Sequence, residues 1–150
     1  MKKLTHIDAK GEARMVDVSA KPAQHRSATA RGEIRMAKET LALIRRDKIA
    51  KGNVLATARI AGIQAAKRTG DLIPMCHPLP INHCEVEFTF PKTGNAILIS
   101  ATAKVTAQTG VEMEALTAVN LAALTIYDMC KAVDKKMRIT NVKLVSKTKR

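Results

Sequence analysis

Residues 111–133 (VEMEALTAVNLAALTIYDMCKAV) read as one long helix with apolar residues on both sides, and no other feature constrains the fold as strongly. Placed at 100° steps, Leu116, Val119, Ala123, Ile126, Cys130 and Val133 share a broad side suited to packing on a sheet. The opposite side carries Leu121 and Leu124, with Asp128, Lys131 and Lys135 among them. A sheet in a small domain covers only one side. The second side therefore has to meet another subunit or line a pocket, so an oligomer is expected. Thr109 and Glu112 have the spacing of a capping box at the start of this helix.

Three alternating segments supply the sheet. In residues 28–36, Ala28, Ala30, Gly32, Ile34 and Met36 take one face, and Thr29, Arg31, Glu33 and Arg35 the other. In residues 83–90, Cys84, Val86, Phe88 and Phe90 point inward. After the turn PKTGN, residues 96–106 return with Ile97, Ile99, Ala101, Ala103 and Val105 on one face. A fourth strand spans 137–146, and its parity slips at Asn141, which predicts a bulge. Helices are expected over 38–47 and 53–69, with Gly70 as a stop. The order strand, helices, strand, strand, helix, strand is that of an α+β, ferredoxin-like fold: a four-stranded antiparallel sheet with helices packed on one face. Residues 1–27 are polar, basic and aperiodic and read as an N-terminal arm, leaving 28–150 as a single catalytic domain. Residues 71–82 hold three prolines among aliphatic residues and predict a stiff, irregular wall packed on that domain.

Charge and composition narrow the function. The 150 residues carry 26 Lys and Arg against 13 Asp and Glu, a net +13 that favours anionic partners. One Tyr, two Phe and no Trp leave little with which to stack bases, so a small polyphosphate fits better than nucleic acid. No apolar run reaches the ~18 residues of a membrane span, and the first residues lack the apolar core of a secretory signal. Three cysteines without CxxC spacing suit free thiols and a cytoplasmic location.

Individual residues admit two readings each. Asp128 and Lys131, three apart, form either an ordinary surface ion pair or a functional pair set in a leucine stripe. His77, held in PMCHPLP, is a hydrogen-bonding or proton-transfer group, or an ordinary satisfied histidine. The C-H-x5-H-C pattern from Cys76 to Cys84 is a poor zinc site, because neighbours in an extended chain point apart. No G-x-x-x-x-G-K-[ST] loop is present. Lys51, Lys67 and Lys131 each follow a structured apolar segment and are expected to line one cleft.

The runs MVDVSAK, ATARIAGIQAAKRT, LIPMCHPL and TGVEMEALTAVNLAALTIYDMCKAVDK, with the late Lys147, closely resemble the cyclic pyranopterin monophosphate synthase family, that of molybdenum cofactor biosynthesis protein C. The resemblance implies a lyase that rearranges a cyclised dihydro-GTP to cyclic pyranopterin monophosphate and expels pyrophosphate. It implies a hexamer, a trimer of dimers, with sites at subunit interfaces. It makes Asp128, Lys51 and Lys131 the expected catalytic residues, and Met75, Cys76, His77, Met113 and Glu114 the expected substrate-binding stretch. Asp17, Arg26, Lys67, Glu112 and Lys147 are further expected pocket positions. Met75 stands where the family commonly has Leu, and the chain stops at Arg150, where many members continue into a Gly-rich basic tail. No tightly bound cofactor and no protein-held metal is expected; Mg2+ enters only as a companion of the triphosphate, with Glu112, Glu114 and Asp128 as the available oxygens. An RNA-binding module on the same fold and a non-catalytic scaffold are the rival readings.

Overall fold

A computed structural model describes residues 4–150; the first three residues of the expected arm lie outside the described residues. In chain order the elements are β1 (Gln24–Arg35), α1 (Lys38–Arg45), α2 (Val54–Lys67), α3 (Thr69–Leu72), β2 (His83–Thr89), β3 (Ala96–Ala107), α4 (Glu112–Cys130) and β4 (Arg138–Lys149). The strands form one antiparallel sheet in the order β2-β3-β1-β4. This is the expected ferredoxin-like α+β plan. The inward parity of β1 and β3 also holds, with Ala28, Ala30, Ile34, Ile97, Ile99, Ala101, Ala103 and Val105 all buried.

Small residues allow close approach between layers. A Cβ on Gly32 would fall 2.8 Å from the Val119 side chain and 2.9 Å from that of Val142, so only glycine lets α4 settle on the sheet there. On α2, a Cβ on Gly62 would stand 2.9 Å from the Ala118 carbonyl oxygen. Ala58, Ala65 and Ala66 of α2 and Ala115, Ala118 and Ala122 of α4 are buried as well, so the two helices meet along a thin alanine seam. The two phenylalanines are half-buried, Phe88 under the Arg59 guanidinium (5.5 Å) and Phe90 under that of Arg45 (4.3 Å).

Several sequence expectations shift. β1 starts at Gln24, inside the segment read as arm, because Gln24–Ser27 pair with β3 and Arg26 and Ser27 also with β4. The capping box does not form: Val111 is the N-cap of α4, with no side-chain cap, and Glu112 is the first helical residue. The Glu112 carboxylate instead takes the Lys147 ammonium at 2.7 Å, a charge-assisted bond stronger than a neutral cap. Gly70 does not stop α2, which ends at Lys67; it lies in α3, where a Cβ would sit 2.9 Å from Pro78 Cα. Val133 is exposed, since α4 ends at Cys130 and the helical parity ends with it. The bulge in β4 is present: Asn141 has φ +56°, and its amide donates to Glu33 at 2.8 Å across the register shift.

Candidate active site

Expected site residues gather at the two ends of α4. At its C-terminal end, Lys131 Nζ lies 2.8 Å from Asp128 Oδ1, one helical turn away. Lys51 arrives from the segment between α1 and α2, where Asp47 (φ +54°) and Gly52 (φ +107°) turn the chain. Its Nζ donates to the Asp128 carbonyl oxygen at 3.0 Å and reaches Oδ2 at 3.4 Å. Lys51 and Lys131, with Tyr127, Ala132 and Lys135, line an open cavity of 520 Å³. The hydrogen bond and charge of Lys131, then the charge of Lys51, hold the Asp128 carboxyl below its ordinary range. Asp128 in turn holds the Lys131 ammonium above its own.

Asp128 is not buried among the cations: its side chain is 58% exposed, because Leu124 and Asp128 lie on the flank of α4 that neither the sheet nor α2 covers. Lys51 shares this carboxylate with Lys131.

The N-terminal end is a different environment. Met75, Cys76, His77, Met113, Glu114, Glu112 and Lys147 line one cavity of 390 Å³, together with Val16, Val18 and Lys21 of the arm and with Thr109 and Gly110. Glu114 is 3% exposed, and burial, assisted by the neighbouring Glu112 charge, pushes its carboxyl up to about 7. Glu112 gives one oxygen to Lys147, while its Oε2 is buried without a hydrogen-bond partner. A Cβ on Gly110 would overlap that carboxylate, so a side chain there would displace Glu112 from its present position. His77 Nε2 donates to the Val16 carbonyl at 2.8 Å and so ties the proline-rich wall to the arm. The Cys76 thiol is pushed up by burial, then by Glu114 and Glu112.

Asp17 sits in the arm between two cavity-lining valines. Ser19 donates to it from both hydroxyl and backbone and lowers its carboxyl, with a smaller contribution from the charge of His77. Arg26 stands beside the cavity rather than in it, donating to the carbonyls of Ala107 (3.0 Å) and Gln108 (3.1 Å). Lys67 does not join Lys51 and Lys131 in one cleft. It ends α2, whereas Lys51 precedes it, which places them about 20 Å apart along the helix. Lys67 instead flanks the far side of the wall with Gly70, Pro78 and Leu79. Residue-level reading missed the arm residues Val16, Val18 and Lys21 as cavity lining; their only signal was the MVDVSAK run. Glu112 and Glu114 cannot share an ion with Asp128 in one protomer, since 128 − 114 = 14 residues span about 21 Å of helix.

A ferredoxin-like sheet whose long helix ends in a lysine–aspartate–lysine cluster and begins at a carboxyl-lined cavity is the frame of an α+β enzyme built to handle charge. Residues 15–150 match the model of the MoaC family. Three relatives carry the name cyclic pyranopterin monophosphate synthase. That of Chloroflexus aurantiacus is 60% identical over 144 residues, covering 96% of this chain and 88% of its own. That of Parvibaculum lavamentivorans is 58% identical, covering 98% and 92%, and that of Heliobacterium modesticaldum 55%, covering 99% and 93%. The chain belongs to the MoaC family.

Proposed function

We propose that the chain is a lyase of molybdenum cofactor biosynthesis that converts (8S)-3',8-cyclo-7,8-dihydroguanosine 5'-triphosphate to cyclic pyranopterin monophosphate with release of pyrophosphate. The observation that carries the assignment of roles is the meeting of Lys51 with Asp128, 77 residues away, beside Lys131. The reaction asks for three things. A polyanion must be held, charge growing on departing phosphate oxygens must be met by cations, and protons must move as the purine ring opens and recloses. Lys131, kept protonated by Asp128, suits the second task. Glu114, titrating near neutrality, suits proton movement and hydrogen bonding to a ring.

The working site takes both ends of α4, and it is completed by a second copy. Lys51, Asp128 and Lys131 of one protomer then face Met75, Cys76, His77, Glu112, Met113 and Glu114 of its neighbour. The span of about 21 Å within one helix supports this reading, as do Leu124 and Ile60, apolar yet 52% and 59% exposed. The assembly is a hexamer, a trimer of dimers. Asp17, Arg26, Lys67 and Lys147 contribute to holding the triphosphate, and Mg2+ arrives with the triphosphate rather than on a protein site. The location is the cytoplasm; no helix among the described residues is long and apolar enough to cross a membrane. Binding of RNA is disfavoured by the cover of Arg59 and Arg45 on the only two phenylalanines.

The test is to incubate the purified chain with the cyclised nucleotide, following pyrophosphate by a coupled assay and the pterin product by mass spectrometry. Formation of both in equal amounts is expected. Folded protein that releases no pyrophosphate overturns the assignment.

A further inference from the structure

Asp134 takes no part in the reaction just described, yet it is the most heavily engaged carboxylate near the lysine cluster. It is 8% exposed. Oδ2 accepts the Ala37 N–H at 2.8 Å and the Thr40 hydroxyl at 3.0 Å; Oδ1 accepts the Lys136 N–H at 2.9 Å. Its own N–H donates to the Cys130 carbonyl. The partners lie on two elements. Lys136 and Cys130 belong to the end of α4 and the turn beyond it, the turn that opens with Lys131. Ala37 is the N-cap of α1 and offers no side-chain cap, while Thr40 lies in its first turn. Asp134 therefore supplies from a distance of 97 residues the oxygen that a Glu or Gln at position 40 would offer the Ala37 N–H in a capping box.

The placement matters because α1 leads into the segment that carries Lys51. That eight-residue helix is joined to the Lys51 turn by only a few residues, and Ile44 and Ile49 bury that connection in the core. The two lysines that share Asp128 thus come from two segments, and both segments are fastened to one buried carboxylate. We propose that Asp134 is a positioning residue, which sets the distance of Lys51 from Asp128 and Lys131 by clamping the start of α1 to the turn after α4. A helix cap alone would give stability and nothing more. A clamp also sets the electrostatics of Asp128, since Lys51 is one of the two cations that lower its carboxyl.

This inference rests on the roles proposed for Lys51, Asp128 and Lys131, so its test needs a readout independent of turnover. The full chain is labelled with 13C at aspartate carboxyls, the Asp128 signal is assigned by its loss in Asp128→Asn, and its titration is followed by NMR. In Asp134→Ala, the Asp128 carboxyl is expected to titrate at a higher pH than in the parent chain. Activity with the cyclised nucleotide is expected to fall about tenfold or more in kcat, with a smaller change in KM. Thr40→Val removes one clamp bond with little change in volume and keeps the proposal testable where Asp134→Ala does not fold. It should move both readouts in the same direction, kcat by about twofold to threefold. Asp134→Asn keeps the acceptor for Ala37 and should recover much of the alanine loss. A folded Asp134→Ala with unchanged Asp128 titration overturns the clamp; where Asp134→Ala does not fold, unchanged titration in folded Thr40→Val does so. A shifted titration in a chain without synthase activity leaves the clamp standing and overturns the proposed function instead.

Discussion

The two ends of α4 hold carboxylates in opposite conditions. Asp128 stands exposed between two ammonium groups and is held ionised. Glu114 sits in the first turn, where the helix dipole favours a negative charge, and yet burial pushes it up to about 7. Desolvation outweighs the dipole because the dipole acts weakly and the loss of water is nearly complete. One helix thus presents a permanent anion with its cations at one end and a neutral-pH acid at the other. The division of labour comes from surroundings, not from residue type.

The sharpest way to break this contrast is to remove a cation. Lys51→Ala and Lys131→Ala should each lower kcat by about 10²- to 10³-fold while the circular dichroism spectrum is unchanged. Wild-type turnover in either folded variant removes the cluster from the chemistry. The next experiment asks whether the ends work together. Lys51→Ala and Glu114→Ala, each nearly inactive alone, should recover about a quarter of the parent activity when unfolded and refolded together, because half the mixed pairs' sites are then intact. Recovery of nothing argues against sites shared between copies.

Glu114 makes the third test, and the sign is definite. Its folded value near 7 lies above the ordinary 4.5, so the folded state holds the extra proton between those limits. Stability from this group is fully present below pH 4.5 and is lost as pH rises through about 7. In urea unfolding at fixed protein concentration, Glu114→Gln should therefore gain on the parent above pH 7, by about 3 kcal/mol at most. Asp128 runs the other way: its lowered value gives a contribution present above 3.8 and lost as pH falls through the folded value. Asp128→Asn should therefore lose that small contribution in the neutral range and match the parent at acid pH, so that the acid-side fall disappears. The smallest effect concerns Cys76, whose raised thiol should react with iodoacetamide at pH 7 several-fold more slowly than a free cysteine.

Most of the sheet was legible because alternation reports burial directly. The inward sets of β1 and β3 and the slip at Asn141 were all readable from spacing. Gln24–Ser27 was not, since its strand character comes from pairing with β3, and at Arg26 and Ser27 with β4, rather than from its own polar sequence. The capping box misled because Lys147, 35 residues on, competes for Glu112 more strongly than the helix terminus does. At the site, the family runs pointed to the residues, whereas pattern alone could not join Lys51 to Asp128 or separate Lys67 from both. Asp134 was invisible inside the charged run KAVDKK, because its meaning depends on Ala37 and Thr40 in another element.

The alanine seam has one last consequence. Two helices that touch nearly backbone to backbone, with Gly62 against the Ala118 carbonyl, behave mechanically as a single stiff beam. Bending it would mean prying apart surfaces that have no long side chains to slide past one another. Any breathing that admits a bulky nucleotide or frees a product must then fall to what hangs off the beam's tips: the arm at one extremity and the Lys51 turn at the other.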